Sequence, residues 1–319
     1  MTKKSWLAAA LLVCAATAQA QGYPNQPIKL IVPWPPGGGV DTSARIISQP
    51  LSERLGQNIV IENRGGAGGN IGTEIAAKSK ADGYTLLMGS SSPNAINIHI
   101  YPRLPFDPVK DFTPIVYVTP VPNILVVPGN SPFNSAQDLI AHIKANPGKI
   151  NYGSAGVGSS QHLAASMLIT SLGINIVHVP YKGTGPAETD LIAGHIAMML
   201  DTTACLPFVA AGRMKALAVA SKARNPALPN VPTFDELGIR GVYSSAWYGI
   251  MAPAGTPQEV VLRINAEVNA ILKTPEMIKR LAAFGGEPGG GSPDDFSRFV
   301  LSETTRYADI VKASGAKLE

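Results

Sequence analysis

The chain repeats one construction that few folds accommodate: an apolar run ends in small residues, and a helical pattern begins at once. The first instance reads IKLIVPW (28–34) and then PPGGGVD (35–41). A short apolar run with β-branched residues reads as a buried strand. Beyond it, Ala44, Ile47, Leu51 and Leu55 fall at helical spacing, Asp41 stands where an N-cap would, and Gly56 closes the segment. Pro50 interrupts that spacing and predicts a kink or an early stop, because proline lacks the N–H that a helix interior uses. A second strand (58–64), a glycine-rich opening GGAGGNIG (65–72) to a helix running through Lys78, and a third strand (84–90) follow. Strand–helix–strand–helix–strand implies a parallel sheet with right-handed crossovers.

After a proline-rich stretch comes PIVYVTPVPNILVVP (114–128), which reads as long strands that cross between domains. A second series then starts. Helices are expected at 134–148, 161–171 and 186–193, and strands at 150–153, 176–180, 197–201 and 214–220. A further strand at 247–253 leads to a helical tail. Val261, Ile264, Val268 and Ile271 form an apolar stripe after Pro257, which suits the first helical position. Helices near 275–284 and 293–313 flank the loop GGEPGGGSP (285–293). There is no short tandem repeat, but there are two similar halves. The fold class is α/β: two lobes, each a mainly parallel sheet flanked by helices, with a cleft between them. Residues 21–126 and 242–319 form the first lobe and 127–241 the second, with hinges near Val126 and Gly241.

The opening residues MTKKSWLAAALLVCAATAQAQG combine a basic start, an apolar stretch too short to span a bilayer comfortably, and the small-x-small site Ala18-Gln19-Ala20. They read as an export signal (1–20) cleaved after Ala20, which places the mature chain in the periplasm. Cleavage removes two lysines and lowers the formal charge from +4 to +2, too little for a nucleic-acid-binding stripe. Cys205 alone then remains, so no internal disulfide forms and stability must come from a large core.

Four strand-to-helix loops share the small-residue design: 35–41, 65–70, 90–94 and 154–162. Ligands of open α/β sheets bind beyond the carboxyl ends of strands, and free N–H groups at helix starts favour anions. Gly37, Gly38 and Gly39 would present such donors. Tight turns alone also recruit glycine. The spacing of GGAGGNIG lacks the dinucleotide fingerprint, and no phosphate-loop motif exists. In GSAGVGSSQH (153–162), Ser154, Ser159 and Ser160 could bond a carboxylate, or Ser159 or Ser160 could simply cap a helix. His162, in a first helical turn, reads as neutral and structural. Asp41 is either a cap or a site residue that attracts an ammonium. Asp201, at a strand end, either faces the cleft or anchors a loop. Trp34 and Trp247 are core residues or, if in the cleft, favour an aromatic acid. The histidines show no zinc spacing, and no G-x-S-x-G elbow is present.

These segments carry a resemblance. The stretch from YPNQPIKLIVPWPPGGGVDTSARI through NRGGAGGNIGTEIAAKSKADGYTLLMGS, then NYGSAGVGSSQHLAASML, HVPYKGTGPAETDLIAGHI and MKALAVAS, resemble in order the Bug family of periplasmic solute-binding proteins, which serve tripartite tricarboxylate transporters. The resemblance covers nearly the whole mature chain. It implies a type II periplasmic-binding-protein fold that closes on a small carboxylate, held by loop amides, hydroxyls and ordered waters, often without arginine. Carried onto this sequence, the ligand set is Trp34, Gly37, Gly38 and Asp41, then Ala67 and Gly68, Ser90, Ser91 and Ser92, Ser154, Gly158, Ser159 and Ser160, and Asp201 with Thr202. Pro50 departs from the smoother helix expected there. The implied partners are a small organic acid and the membrane subunits of the transporter. No cofactor, metal or nucleic acid is expected, and the chain is expected to be a monomer and not an enzyme. The alternatives are a subunit that presents its ligand to a receptor kinase, and a periplasmic hydrolase using Ser160, His162 and Asp201.

Overall fold

The structure, a computed structural model, describes residues 22–314; the export signal expected at 1–20 lies outside the described residues. Two five-stranded sheets form. The first contains β1 (Ile28–Val32), β2 (Ile59–Asn63), β3 (Thr85–Ser90), β4 (Phe112–Pro122) and β10 (Ser245–Pro253) in the order β2-β1-β3-β10-β4. The second contains β5 (Ile124–Pro128), β6 (Asn151–Ser154), β7 (Val177–Pro180), β8 (Met198–Asp201) and β9 (Met214–Val219) in the order β7-β6-β8-β5-β9. Each sheet has a single antiparallel strand in its fourth place. β10 runs against β3 and β4, and β5 runs against β8 and β9. In both cases that strand has just arrived from the other lobe.

The crossings fall at Asn123 and Ser244. Asn123 N donates to Ser244 O at 2.9 Å, Ser244 Oγ donates to Asn123 Oδ1 at 2.8 Å, and Asn123 Nδ2 donates to Leu200 O at 3.1 Å. Both residues are buried, so these bonds satisfy groups that would otherwise be costly to bury. Val126, placed by the sequence at a hinge, lies inside β5 and pairs with both Met199 and Ala216. Gly241 lies three residues before the return crossing. The alternation of strand residues explains the displacement: Ile124 and Val126 share one buried face, so β5 must already be in its sheet there.

The helices are α1 (Gly39–Leu55), α2 (Asn70–Ala77), α3 (Ala136–Ala145), α4 (Ser160–Leu172), α5 (Thr184–Ala193), α6 (Leu206–Ala210), α7 (Gln258–Leu272), α8 (Pro275–Ala283) and α9 (Pro293–Ser314). α1 continues through Pro50 to a left-handed Gly56 cap, so the early stop expected at Pro50 does not occur. Pro257 is the N-cap of α7 and not its first helical residue. In the first lobe, Ile28, Leu30 and Val32 pack with Ala44, Ile47 and Leu51 of α1 and with Val261, Ile264 and Val268 of α7. The other face buries Ile31, Leu87, Trp247 and Met251 under Phe296, Val300 and Tyr307 of α9. Leu163 of α4, from the second lobe, joins that cluster. The C-terminal helix therefore packs on the first lobe and also reaches the second. Among the described residues, no helix is long and apolar enough to cross a membrane.

Phe296 is 1% exposed, with Trp247 edge-on at 5.7 Å and Tyr117 at 5.9 Å. Gly249 makes room for it, since a Cβ there would lie 2.2 Å from the ring. Truncation by Phe296→Ala is expected to cost about 3–5 kcal/mol of unfolding free energy. Urea denaturation, read as a fall in midpoint at unchanged slope, checks this.

Candidate functional site

Loops beyond the carboxyl ends of β1, β3, β6, β7 and β8 meet between the sheets and enclose a chamber of about 30 Å³, space for roughly two water-sized groups. Its first-lobe wall is Trp34, Pro35, Gly38, Gly39, Val40, Ser90, Ser91 and Ser92, with Ala246 and Tyr248 of β10. The second-lobe wall is Ala155, Ser160, Gln161, Thr184 and Thr202. Among the described residues, no lysine, arginine or carboxylate lines it.

Two helices direct their N-termini here from opposite lobes. Gly38 is the N-cap of α1 and Gly183 the N-cap of α5, and neither helix start is capped by a side chain. Their first-turn N–H groups and the positive ends of their dipoles bring positive potential toward the chamber. The lobes are closed over it. A Cβ on Gly39 would lie 2.4 Å from Tyr248 Oη and 3.2 Å from Thr202 Oγ1. One on Gly158 would lie 2.4 Å from Asn97 Oδ1 of the first lobe. Glycine is required at both places by close approach.

The structure sorts the residues expected from the sequence into three groups. Trp34, Gly38, Ser90, Ser91, Ser92, Ser160 and Thr202 line the chamber. Trp34 Nε1 donates to Ser90 Oγ at 3.2 Å, which fixes the indole against the wall. Ala67 and Gly68 line an adjoining mouth of about 280 Å³, which shares Trp34 and Ala155 with the chamber and adds Tyr101, Tyr181 and Lys182. The remaining residues turn to local tasks. Gly37, at φ 90°, donates to Asp41 Oδ2 at 3.0 Å. Asp41 is not the N-cap of α1, because Gly38 is. Its carboxylate, in the first turn of the helix, accepts from Gly37, from Arg45 at 2.9 and 3.0 Å, and from Asn63 at 2.9 Å. Burial pushes the Asp41 carboxyl up, but the hydrogen bonds from Arg45, Gly37 and Asn63 outweigh it and hold it below the usual range.

In the second lobe, Ser154 Oγ accepts from Gly156 N at 3.1 Å and sits 2.7 Å from His178 Nε2. Ser159 is the N-cap of α4, accepting from His162 N at 3.2 Å, and Gly158 N reaches His162 Nδ1 at 3.4 Å. Asp201 lies fully buried behind the wall, accepting from Thr202 N at 2.7 Å and Gln161 Nε2 at 3.4 Å. His162 bonds neither Ser160 nor Asp201, so those three residues form no catalytic relay. Trp247 lies in the core, 1% exposed, while its neighbour Tyr248 faces the chamber, as alternation along a strand dictates. Among the described residues, no cluster of three or more His, Cys, Asp or Glu could hold a metal.

Gln161, Thr184 and Tyr248 were not anticipated from the sequence. Thr184 opens a helix after β7 and the small residue Gly183, the same design as the four loops recognised there, and so had a signal. Tyr248 had none, because it reaches the site on an antiparallel strand from far along the chain.

A pair of sheets joined by two crossings, with a polar chamber enclosed between them, defines a two-lobed binding protein. The chain belongs to a family of solute receptors: the model described as "Tripartite tricarboxylate transporter family receptor" matches residues 43–316. Three solved structures are similar to it. The periplasmic binding protein BugD is 34% identical with a TM-score of 0.88, over 93% of this chain and 100% of that one. Rpa4515 of R. palustris, with adipate, is 38% identical with a TM-score of 0.91 over the same shares. MatC (Rpa3494) of Rhodopseudomonas palustris, with bound malate, is 32% identical with a TM-score of 0.85, over 91% of this chain and 100% of that one. The fold is the two-lobed periplasmic-binding-protein fold, and the Bug-family resemblance holds.

Under the second-lobe wall, Tyr152, His178 and His162 stack, with centroids 4.8 and 4.3 Å apart. Burial lowers both imidazoles to about 4, His178 also through the neighbouring His162. A histidine held neutral when folded binds fewer protons than when unfolded between about 4 and 6.5, so its contribution is lost as pH falls through that window. The stability gap between wild type and His178→Phe should therefore narrow on acidification from pH ~6.5 to ~4. Thermal unfolding across that range checks it.

Proposed function

We propose that this protein is an exported receptor that captures a small organic carboxylate between its lobes and delivers it to the membrane subunits of a tripartite tricarboxylate transporter. One observation carries the reading: two uncapped helix starts, one from each lobe, converge on a chamber lined by hydroxyls and lacking any cation. Neutral donors match an anion without leaving an unpaired buried charge in the ligand-free protein. Serine, threonine and tyrosine hydroxyls rotate to donate to whichever carboxylate oxygen is presented. The similar proteins with adipate and malate support this ligand class. In the mouth, exposed Lys182 has no carboxylate within ion-pair distance among the described residues, and a second acid group on the ligand would lie toward it. Closure around the ligand gives the membrane partner a shape to recognise.

Calorimetry on refolded protein tests the reading, with adipate, malate and hexanoate as ligands and hexylamine as control. The acids are expected to bind and the amine not. At a ligand concentration of 100 Kd, stability should rise by about 2.7 kcal/mol. Heat and thermal shift absent for every acid would remove the reading. Gly39→Ala, whose added Cβ would meet Tyr248 Oη of the same lobe at 2.4 Å and Thr202 Oγ1 of the other lobe at 3.2 Å, should weaken adipate at least ~10-fold and also lower ligand-free stability, because the first contact exists whether or not the lobes close. Lys182→Met should weaken adipate several-fold more than hexanoate, roughly the value of one partly exposed ion pair.

A further inference from the structure

We propose that Glu188 and Asp201 hold one proton between them behind the second-lobe wall, and that this pair positions Gln161, Thr184 and Thr202 toward an anionic ligand, so that affinity depends on keeping the proton. The inference rests on the carboxylate reading above and deepens it.

Glu188 follows Thr184 by one turn on the same face of α5 and is 4% exposed. Asp201 ends β8 and is fully buried. The two carboxyl groups are neighbours, close enough for each to act on the other's ionisation. None of the ion pairs among the described residues involves either one. Glu188 Oε1 and Asp201 Oδ2 are both buried with no hydrogen-bond partner among the described residues, a partnership that a shared proton would supply. Two ionised carboxylates cannot sit side by side in such a place, whereas a single shared proton satisfies both.

The arrangement has a direction. Asp201 Oδ1, an acceptor, draws Gln161 Nε2 at 3.4 Å and Thr202 N at 2.7 Å. The same Gln161 Nε2 donates to Thr184 Oγ1 at 3.0 Å. With its oxygen accepting from Gln161, the Thr184 hydroxyl is free to donate into the chamber. Thr202 in turn contacts Tyr248 across the lobe boundary. The acid pair thus sets the polarity of the wall that meets the ligand.

The other titratable groups facing the pair are the Cys205 thiol, beyond the end of β8, and the Tyr248 hydroxyl, on β10. Burial first, and then the carboxylates, push both upward and keep them neutral. α4 contributes only the neutral Gln161. Asp190, next along α5, is bound outward to Tyr181 and His195. Burial, followed by the charge of Asp201, pushes Glu188 up to about 9, and burial also raises Asp201. An anion bound next to the pair raises its proton affinity further. The bound state therefore keeps the proton to higher pH than the free state, and affinity falls as pH rises through the free-state value.

The test is a calorimetric titration of adipate and malate between pH ~7 and ~10 for wild type, Glu188→Gln and Asp201→Ala, with infrared spectra of the ligand-free proteins. Wild-type affinity is expected to hold near pH 7 and to weaken about tenfold by pH ~10. Glu188→Gln should keep the neutral-pH affinity within roughly threefold and lose the alkaline decline, because its amide supplies the bridging hydrogen permanently. Asp201→Ala should bind weakly at every pH, since Gln161 and Thr202 lose the acceptor that orients them. The infrared spectrum of ligand-free wild type should show a protonated carboxyl near pH 7.5 that is missing in Glu188→Gln. An alkaline decline that persists in Glu188→Gln, or the absence of that carboxyl, would overturn the proposal. If no acid binds at pH ~7 while the carboxyl is present, it is the carboxylate reading that has failed, and the role in positioning fails with it.

Discussion

Each sheet borrows one strand that reaches it directly from the other lobe, and the two lobes hold their shape through that exchange. β5 and β10 are the antiparallel members, each in the fourth place, and the peptide links leading into them are stitched together by Asn123 and Ser244. Because the crossings lie side by side, the carboxyl ends of the parallel strands in both sheets open onto one shared space. The chamber follows from that placement. Five loops that would each be an ordinary turn alone become one enclosure when two lobes are hinged in this way.

The enclosure resolves an electrostatic difficulty. A guanidinium or ammonium in so small a space would be costly to bury whenever the ligand was absent. Dipoles fixed by helix geometry carry no such penalty, because their opposite ends are satisfied along the helix. The charges near the site are correspondingly set back from it. Asp41 is tied to Arg45 and Asn63 on the outer side of its loop, and Asp201 is tied to Glu188 beneath the opposite wall. The histidine stack adds bulk and hydrogen bonds without charge.

The elements were legible in the sequence wherever a period was long enough to show. The alternation of strand and helix predicted both sheets, and small residues at strand ends marked most of the first-lobe wall. Legibility failed where function depends on long-range partners. Asp41 has the composition of an N-cap, yet Arg45 and Gly37 draw its carboxylate elsewhere, and only geometry reveals that Gly38 caps the helix. Ser154 and Ser159 look like ligand hydroxyls, but their hydrogen bonds are taken by His178, Gly156 and His162. Tyr248 and Trp247 are adjacent in the chain and face opposite sides of a sheet, a difference invisible until register is known. Glu188 reads as a surface residue of a short helix; its burial is a property of the packed lobe.

The tightness of the chamber bears on kinetics. With Gly39 close to Thr202 across the boundary and Gly158 close to Asn97 beside it, an acid seated in the chamber as proposed is held by both lobes at once. Departure must wait for the halves to swing apart. Residence time is then governed by how often the clamshell opens and not by the summed strength of the bonds inside it. On the reading proposed above, a carrier built this way holds a weakly gripped cargo long enough to diffuse to its destination, and anything there that pries the halves open sets the moment of unloading.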